Sequence, residues 1–131
     1  MKASDERCYL GIDLGASLIK YTLVSSHGTP GPVYRLETDA SGGRESVLAQ
    51  IRKIITEIGG SPEGSRLASV GLGTPGLINN RGEIIGEAVN IPGWHDFPLQ
   101  ETVRSFTDLP VFVANDVSLT AFGEYVYGAG R

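Results

Sequence analysis

Two aspartates carry the chemistry that this sequence could perform. Asp13, in "DLGASLIK", closes an apolar run and is followed by Gly15, with Lys20 in the next apolar run. A carboxylate at a strand end beside a glycine turn can hold a magnesium ion through water, while backbone N–H groups of the turn face phosphate oxygens. The same residues also make an ordinary hairpin with a side-chain-bonded aspartate. Taken singly, the motif does not separate the two readings. Asp116, in "VFVANDVSLTAFGE", stands with Asn115 where an apolar run gives way to a helical pattern, and either residue is a good helix N-cap. A carboxylate at that strand end can also accept the proton of a substrate hydroxyl as the oxygen attacks a phosphoryl group. An ordinary aspartate, with a pKa of about 3.9, is ionised and able to accept at neutral pH.

Two glycine- and proline-bearing stretches lie between them. In "GLGTPGLIN", Pro75 and Gly76 suit the middle of a type II turn, with proline setting φ and glycine supplying positive φ. Gly71, Gly73 and Gly76 also remove side chains, so that backbone could approach a ligand at the carboxyl edge of a sheet, where open α/β sheets bind small molecules. Both readings stay open on the motif alone. In "NIPGWHDFPL", Asn90 could hydrogen-bond a polyol, while the single tryptophan, Trp94, serves better as a plug between loop and core than as a platform for a sugar. His95 has no second histidine or cysteine at ligand spacing, so a solvated or hydrogen-bonded ring is expected.

The elements that must position these residues follow from periodicity. Cys8 to Asp13, Leu18 to Ser25 and "PVYRLET" read as three strands in a meander. Val47, Leu48, Ile51, Ile54, Ile55 and Ile58 fall at helical spacing, with Arg52, Lys53 and Glu57 opposite, and Gly59-Gly60 is expected to end that helix through a positive φ. "RLASVGLG" is a fourth strand, "TPGLINNRGEIIGEA" leads into a small hairpin around Asn80, Arg81 and Gly82, "PLQETVRSF" is a short helix, "PVFVA" a fifth strand, and Val117 to Tyr127 a last helix. Strand, strand, strand, helix, strand, helix, strand, helix predicts an α/β fold with a mixed five-stranded sheet and helices on both faces, the ribonuclease H-like arrangement. A Rossmann unit would need a helix directly after the first strand.

Composition bounds the rest. At 131 residues the chain suits one domain with a real core. With 11 basic against 15 acidic residues and a net charge of −4, a general nucleic-acid or membrane-surface binder is not expected. The one cysteine, Cys8, permits no internal disulfide and no cysteine-built metal site, and no apolar stretch is long enough for a signal peptide or a spanning helix, so a cytoplasmic location is expected.

"DLGASLIK", "GLGTPGLIN", "NIPGW" and "ANDVSLTAFGEYVYGAG", in this order and over nearly the whole chain, resemble the amino-terminal lobe of the ROK family of repressors, open reading frames and sugar kinases, with bacterial glucokinases the nearest pattern. The resemblance implies the actin-like version of the ribonuclease H-like fold with two lobes, ATP and magnesium as cosubstrates, and phosphoryl transfer to a hexose hydroxyl in the cleft between lobes. It implies that Asp116 is the catalytic base, that Asn115, Asn90 and the Gly76 backbone contact the sugar, and that Asp13, Gly15 and Lys20 form the first phosphate motif, with Asp13 holding magnesium through water. Family members are often oligomeric. One departure is local: Ala16 and Ser17 stand where the family has a second glycine and a threonine, and a methyl at Ala16 is expected to crowd a turn that favours positive φ.

The other departure is one of extent. The family's second lobe, with its second glycine-rich phosphate loop, its adenosine site, a histidine and glutamate of the sugar site and a cysteine-histidine zinc site, is not represented in these residues. The expectation is therefore a single lobe, residues 1–131, of a glucokinase-type kinase, inactive alone because ATP would have only one wall and water would reach the transferring phosphate. Two other classes stand beside it: a sugar-responsive repressor of the same family, which would need a winged helix-turn-helix ahead of Cys8, and a non-enzymatic sugar-binding half-protein.

Overall fold

The computed structural model describes residues 6–88 and 90–115. Its main sheet has five strands in the order β3-β2-β1-β4-β8, from β1 (Cys8–Leu14), β2 (Leu18–Ser25), β3 (Tyr34–Glu37), β4 (Leu67–Thr74) and β8 (Val111–Asn115). β1, β2 and β3 form an antiparallel meander, while β4 runs parallel to β1 and β8 parallel to β4. This mixed sheet is the ribonuclease H-like arrangement. Strict alternation places Cys8, Leu10, Ile12 and Leu14 in the core and turns Tyr9 and Asp13 outward.

α1 (Gly43–Gly59) crosses from β3 to β4 and buries Val47, Leu48, Ile51, Ile54 and Ile55 against Leu10, Ile12, Val70 and Leu72 of the sheet. It begins four residues ahead of the apolar stripe, after a tight turn at Ala40–Gly42. Its end differs from expectation. Gly60 has φ of −90°, so no left-handed residue closes the helix; the Gly60 N–H donates to the Thr56 carbonyl instead. The neighbouring glycine that matters is Gly64, where a Cβ would come within 2.0 Å of the Gly59 carbonyl oxygen. Close packing of backbone on backbone, rather than a helix-ending φ, is the reason for glycine there.

α2 (Leu99–Arg104) buries Leu99 and Val103 and packs beside α1. The helix expected over Val117 to Tyr127, which would cover the other face, lies outside the described residues. A second, three-stranded antiparallel sheet sits between β4 and α2: β5 (Leu77–Ile78), β6 (Ile84–Glu87) and β7 (His95–Phe97). The β5–β6 hairpin is the one expected around Asn80, Arg81 and Gly82, with Gly82 at φ of +74°. β7 is an addition, because three residues followed by Pro98 carry too little alternation to be read as a strand. Among the described residues no helix is long and apolar enough to cross a membrane.

Candidate active site

The carboxyl ends of the three parallel strands meet at one sheet edge. Asp13 is in register with Gly73, Gly73 with Ala114, and Thr74 with Asn115. At a strand spacing of about 4.8 Å, Asp13 and the end of β8 are about 10 Å apart, with the bare backbone of Gly73 between them. Asp116 itself lies outside the described residues; it directly follows Asn115 in the chain.

On one side of this edge, Asp13 pairs across the antiparallel β1–β2 ladder with Lys20, so both project from the same face. Both are exposed, make no ion pair with each other, and border a shallow cavity of about 230 Å³ with Gly11, Thr22 and Val33. The turn between the strands is closed by its own chain. The Gly15 N–H donates to the Leu18 carbonyl at 3.0 Å, and the Thr38 hydroxyl donates to the Gly15 carbonyl at 2.8 Å. Gly15 thus builds the turn, and the amides with no acceptor among the described residues are those of Ala16 and Ser17. A Cβ at Gly15 would stand 2.8 Å from the Leu18 carbonyl oxygen. The crowding expected at Ala16 does not occur: Ala16 has no positive φ, and its methyl is partly buried against the core. An exposed carboxylate with no ion partner among the described residues fits magnesium, which needs few protein ligands and keeps much of its water shell, while the Ala16 and Ser17 N–H groups suit an anion rather than the metal. Among the described residues no three His, Cys, Asp or Glu side chains gather as a metal cage.

On the other side, Pro75 and Gly76 form a bend in which Gly76 takes φ of +100°, the positive φ expected of it. Asn115 donates from its side-chain amide to the Gly76 carbonyl at 2.5 Å, which ties the end of β8 to this turn. Beneath it lies Trp94, fully buried, with its indole N–H donating to Thr74 Oγ1 at 2.9 Å and its ring edge-on to Phe97. The Thr74 hydroxyl in turn donates to the Pro75 carbonyl at 3.0 Å. Trp94 is therefore the plug expected of it. The polar partner that lets an indole be buried there, Thr74, was legible only as the residue before Pro75. The loop carrying Asn90 is anchored by buried Ile91 and Trp94, and Ala88 packs beside Gly76; Asn90 itself is exposed and hydrogen-bonds none of the other described site residues. His95 is exposed, its Nδ1 3.8 Å from an Asp96 carboxylate oxygen. Asp96 holds the strained φ of 45°, with its carboxylate accepting from the Gly86 N–H at 2.8 Å.

The geometry brings Asp13, Lys20, Gly15, Gly76 and Asn115 to one edge, with Asn90 in the adjoining loop. The sequence profile of the ROK family matches residues 9–131. The chain belongs to the ROK family. Among ROK proteins, a glucokinase of Halalkalibacterium halodurans is 35% identical over 127 residues, which span 95% of this chain and 38% of that protein. The xylose repressor of Bacillus subtilis is 31% identical over 125 residues, 93% of this chain and 32% of the repressor. The solved ROK glucokinase of Streptomyces griseus, in complex with glucose and AMPPNP, superposes with a TM-score of 0.78 at 29% identity, over 95% of this chain and 38% of that one. The fold is thus the actin-like version of the ribonuclease H-like class, and the chain spans well under half the length of these ROK relatives.

Proposed function

We propose that this chain is the amino-terminal lobe of an ATP-dependent hexose kinase of the glucokinase type. The observation that carries this reading is the alignment of strand ends: the Asn115–Gly76 bond holds the end of β8 on the same edge as Asp13, across the bare Gly73 backbone. The named ROK glucokinases and the glucose and AMPPNP complex support it. In this reading Asp116 accepts the proton of the attacking sugar hydroxyl, Asn115 and Asn90 hydrogen-bond sugar hydroxyls, and the Gly76 backbone lets the sugar lie close. Lys20 and the Ala16 and Ser17 amides of the Gly15 turn meet the ATP phosphates. Magnesium when bound neutralises charge on the phosphates; Asp13 is the residue that would hold it, through water.

Positioning and water exclusion dominate phosphoryl transfer, and one lobe offers a single wall. The 131-residue chain alone is accordingly inactive in this reading; sugar phosphorylation by it would contradict the assignment. In the complete two-lobed protein, Asp116→Asn lowers turnover by about 10² to 10⁴ while sparing sugar affinity. Unchanged turnover would remove Asp116 from the role of base. The similarity to the xylose repressor supports a second reading, a sugar-responsive repressor, which DNA binding by the complete protein would favour. Calorimetric sugar binding without nucleotide, together with no phosphorylation by the complete protein, would instead mark a non-enzymatic binder.

A further inference from the structure

Away from this edge, a groove of about 430 Å³ runs between α1 and α2, floored by Leu48, Phe97 and Phe106. Two arginines flank it. The Arg44 guanidinium lies over the Phe97 ring at 4.7 Å from its centroid, and Arg52 over Phe106 at 5.7 Å. Neither has a carboxylate within ion-pair distance among the described residues. A guanidinium laid on an aromatic face is held by cation–π attraction while its N–H edge stays available for bidentate pairing, so little side-chain freedom remains to be lost on binding. Glu45 also borders the groove, but it is exposed and its repulsion is screened by water and salt.

Spacing selects the occupant. Arg44 and Arg52 are eight residues apart on α1, about 12 Å along a helix rising 1.5 Å per residue. That backbone separation favours an anion that is extended over one that is compact. An extended polypeptide rises about 3.3 Å per residue and sends alternate side chains to one face, so acidic residues four apart span about 13 Å with the side chain midway between them on the same face. We infer that this groove docks an extended acidic segment of a protein partner, with acidic, apolar and acidic side chains at alternate positions: the carboxylates pair with Arg44 and Arg52 and the apolar side chain fills the floor at Leu48 and Phe106. This inference is independent of the kinase reading.

The test is fluorescence anisotropy of a labelled peptide, Gly-Glu-Ser-Phe-Ser-Glu-Gly, titrated with the full chain. Expected are saturable binding, weakening with added salt, and a loss of about tenfold in Arg44→Glu and in Arg52→Glu. Lys53→Glu, the same charge change on the residue beside Arg52 but outside the groove lining, keeps affinity within about twofold. Circular dichroism checks folding of each variant, and Arg52→Gln carries the test if charge reversal unfolds the chain. No saturable binding, equal loss in Lys53→Glu, or displacement by inorganic phosphate at concentrations matching the peptide would overturn the inference. So would sedimentation showing a dimer of this chain that Arg52→Glu dissociates, since the groove would then be occupied by a second copy.

Discussion

The two glycine turns at the sheet edge look alike in sequence and are built on opposite principles. Gly15 is a glycine of space: its φ is ordinary, and a Cβ would press on the Leu18 carbonyl oxygen at 2.8 Å. Gly76 is a glycine of conformation: its φ is +100°, while a Cβ would meet nothing nearer than the Ala88 methyl at 3.7 Å. The Gly15 turn is closed by bonds among neighbours, whereas the Gly76 turn is held from outside, by Asn115 across the sheet and by Trp94 and Thr74 beneath. A self-closed turn suits a phosphate contact made by backbone amides. In the proposed kinase, one held from outside would couple sugar contacts to the strand that leads to Asp116.

Removing the support breaks the comparison most severely. Trp94→Ala empties a fully buried site and removes the donor to the Thr74 hydroxyl oxygen, and is expected to cost about 3–5 kcal/mol. Chemical denaturation of the chain measures it, and a cost under about 1 kcal/mol would show that the loop is not anchored by this ring. The paired test comes next. Gly15→Ala forces backbone apart and is expected to cost about 1–3 kcal/mol, while Gly76→Ala meets only the left-handed penalty of about 1–2 kcal/mol. Asn is tolerant of positive φ, so Gly76→Asn recovers part of that loss, whereas Gly15→Asn recovers none, because its Cβ meets the same oxygen. Equal rescue at both positions would erase the distinction. A smaller effect follows from Thr38→Val, which removes the hydroxyl held on the Gly15 carbonyl and is expected to cost about 1 kcal/mol. It loosens the first turn without moving the Asn115 and Gly76 resonances in an NMR spectrum.

Much of this frame was legible. The alternation of Cys8, Leu10, Ile12 and Leu14 and the helical spacing from Val47 to Ile55 are set by burial, which the pattern of apolar residues records directly. The gathering of Asp13, Gly76 and Asn115 followed from strand order, since parallel strands bring their carboxyl ends together. What escaped depends on partners distant in sequence. Thr74 is marked by nothing local, because its importance comes from Trp94, 20 residues on. Whether Gly15, Gly60, Gly64 or Gly76 is needed for space or for φ depends on which atom stands opposite. β7 exists because β6 offers it an edge, not because three residues prefer to be extended.

The smallest effect separates the turns by charge. Every bond closing the Gly15 turn joins neutral groups. The hairpin that continues from Gly76 instead depends on a carboxylate: Asn79 donates to Glu83 at 2.7 Å, Arg81 reaches the same oxygen, and the Asn79 side-chain oxygen accepts from the Arg81 and Glu83 amides. The Asn79 hydrogen bond, and after it Arg81, hold the Glu83 carboxyl below its usual value. A depressed carboxylate contributes stability above its unfolded pKa of about 4.3 and loses it as the pH falls through the lower folded value. Acid titration followed by NMR should therefore move the Arg81 and Glu83 amides with a midpoint below that of an ordinary glutamate, and Glu83→Gln should abolish that step without changing how the Gly15 amide responds to acid. Asn79→Ala should raise the midpoint toward the ordinary value. A Gly15 amide whose response to acid changes in Glu83→Gln would mean that the two turns share one network after all.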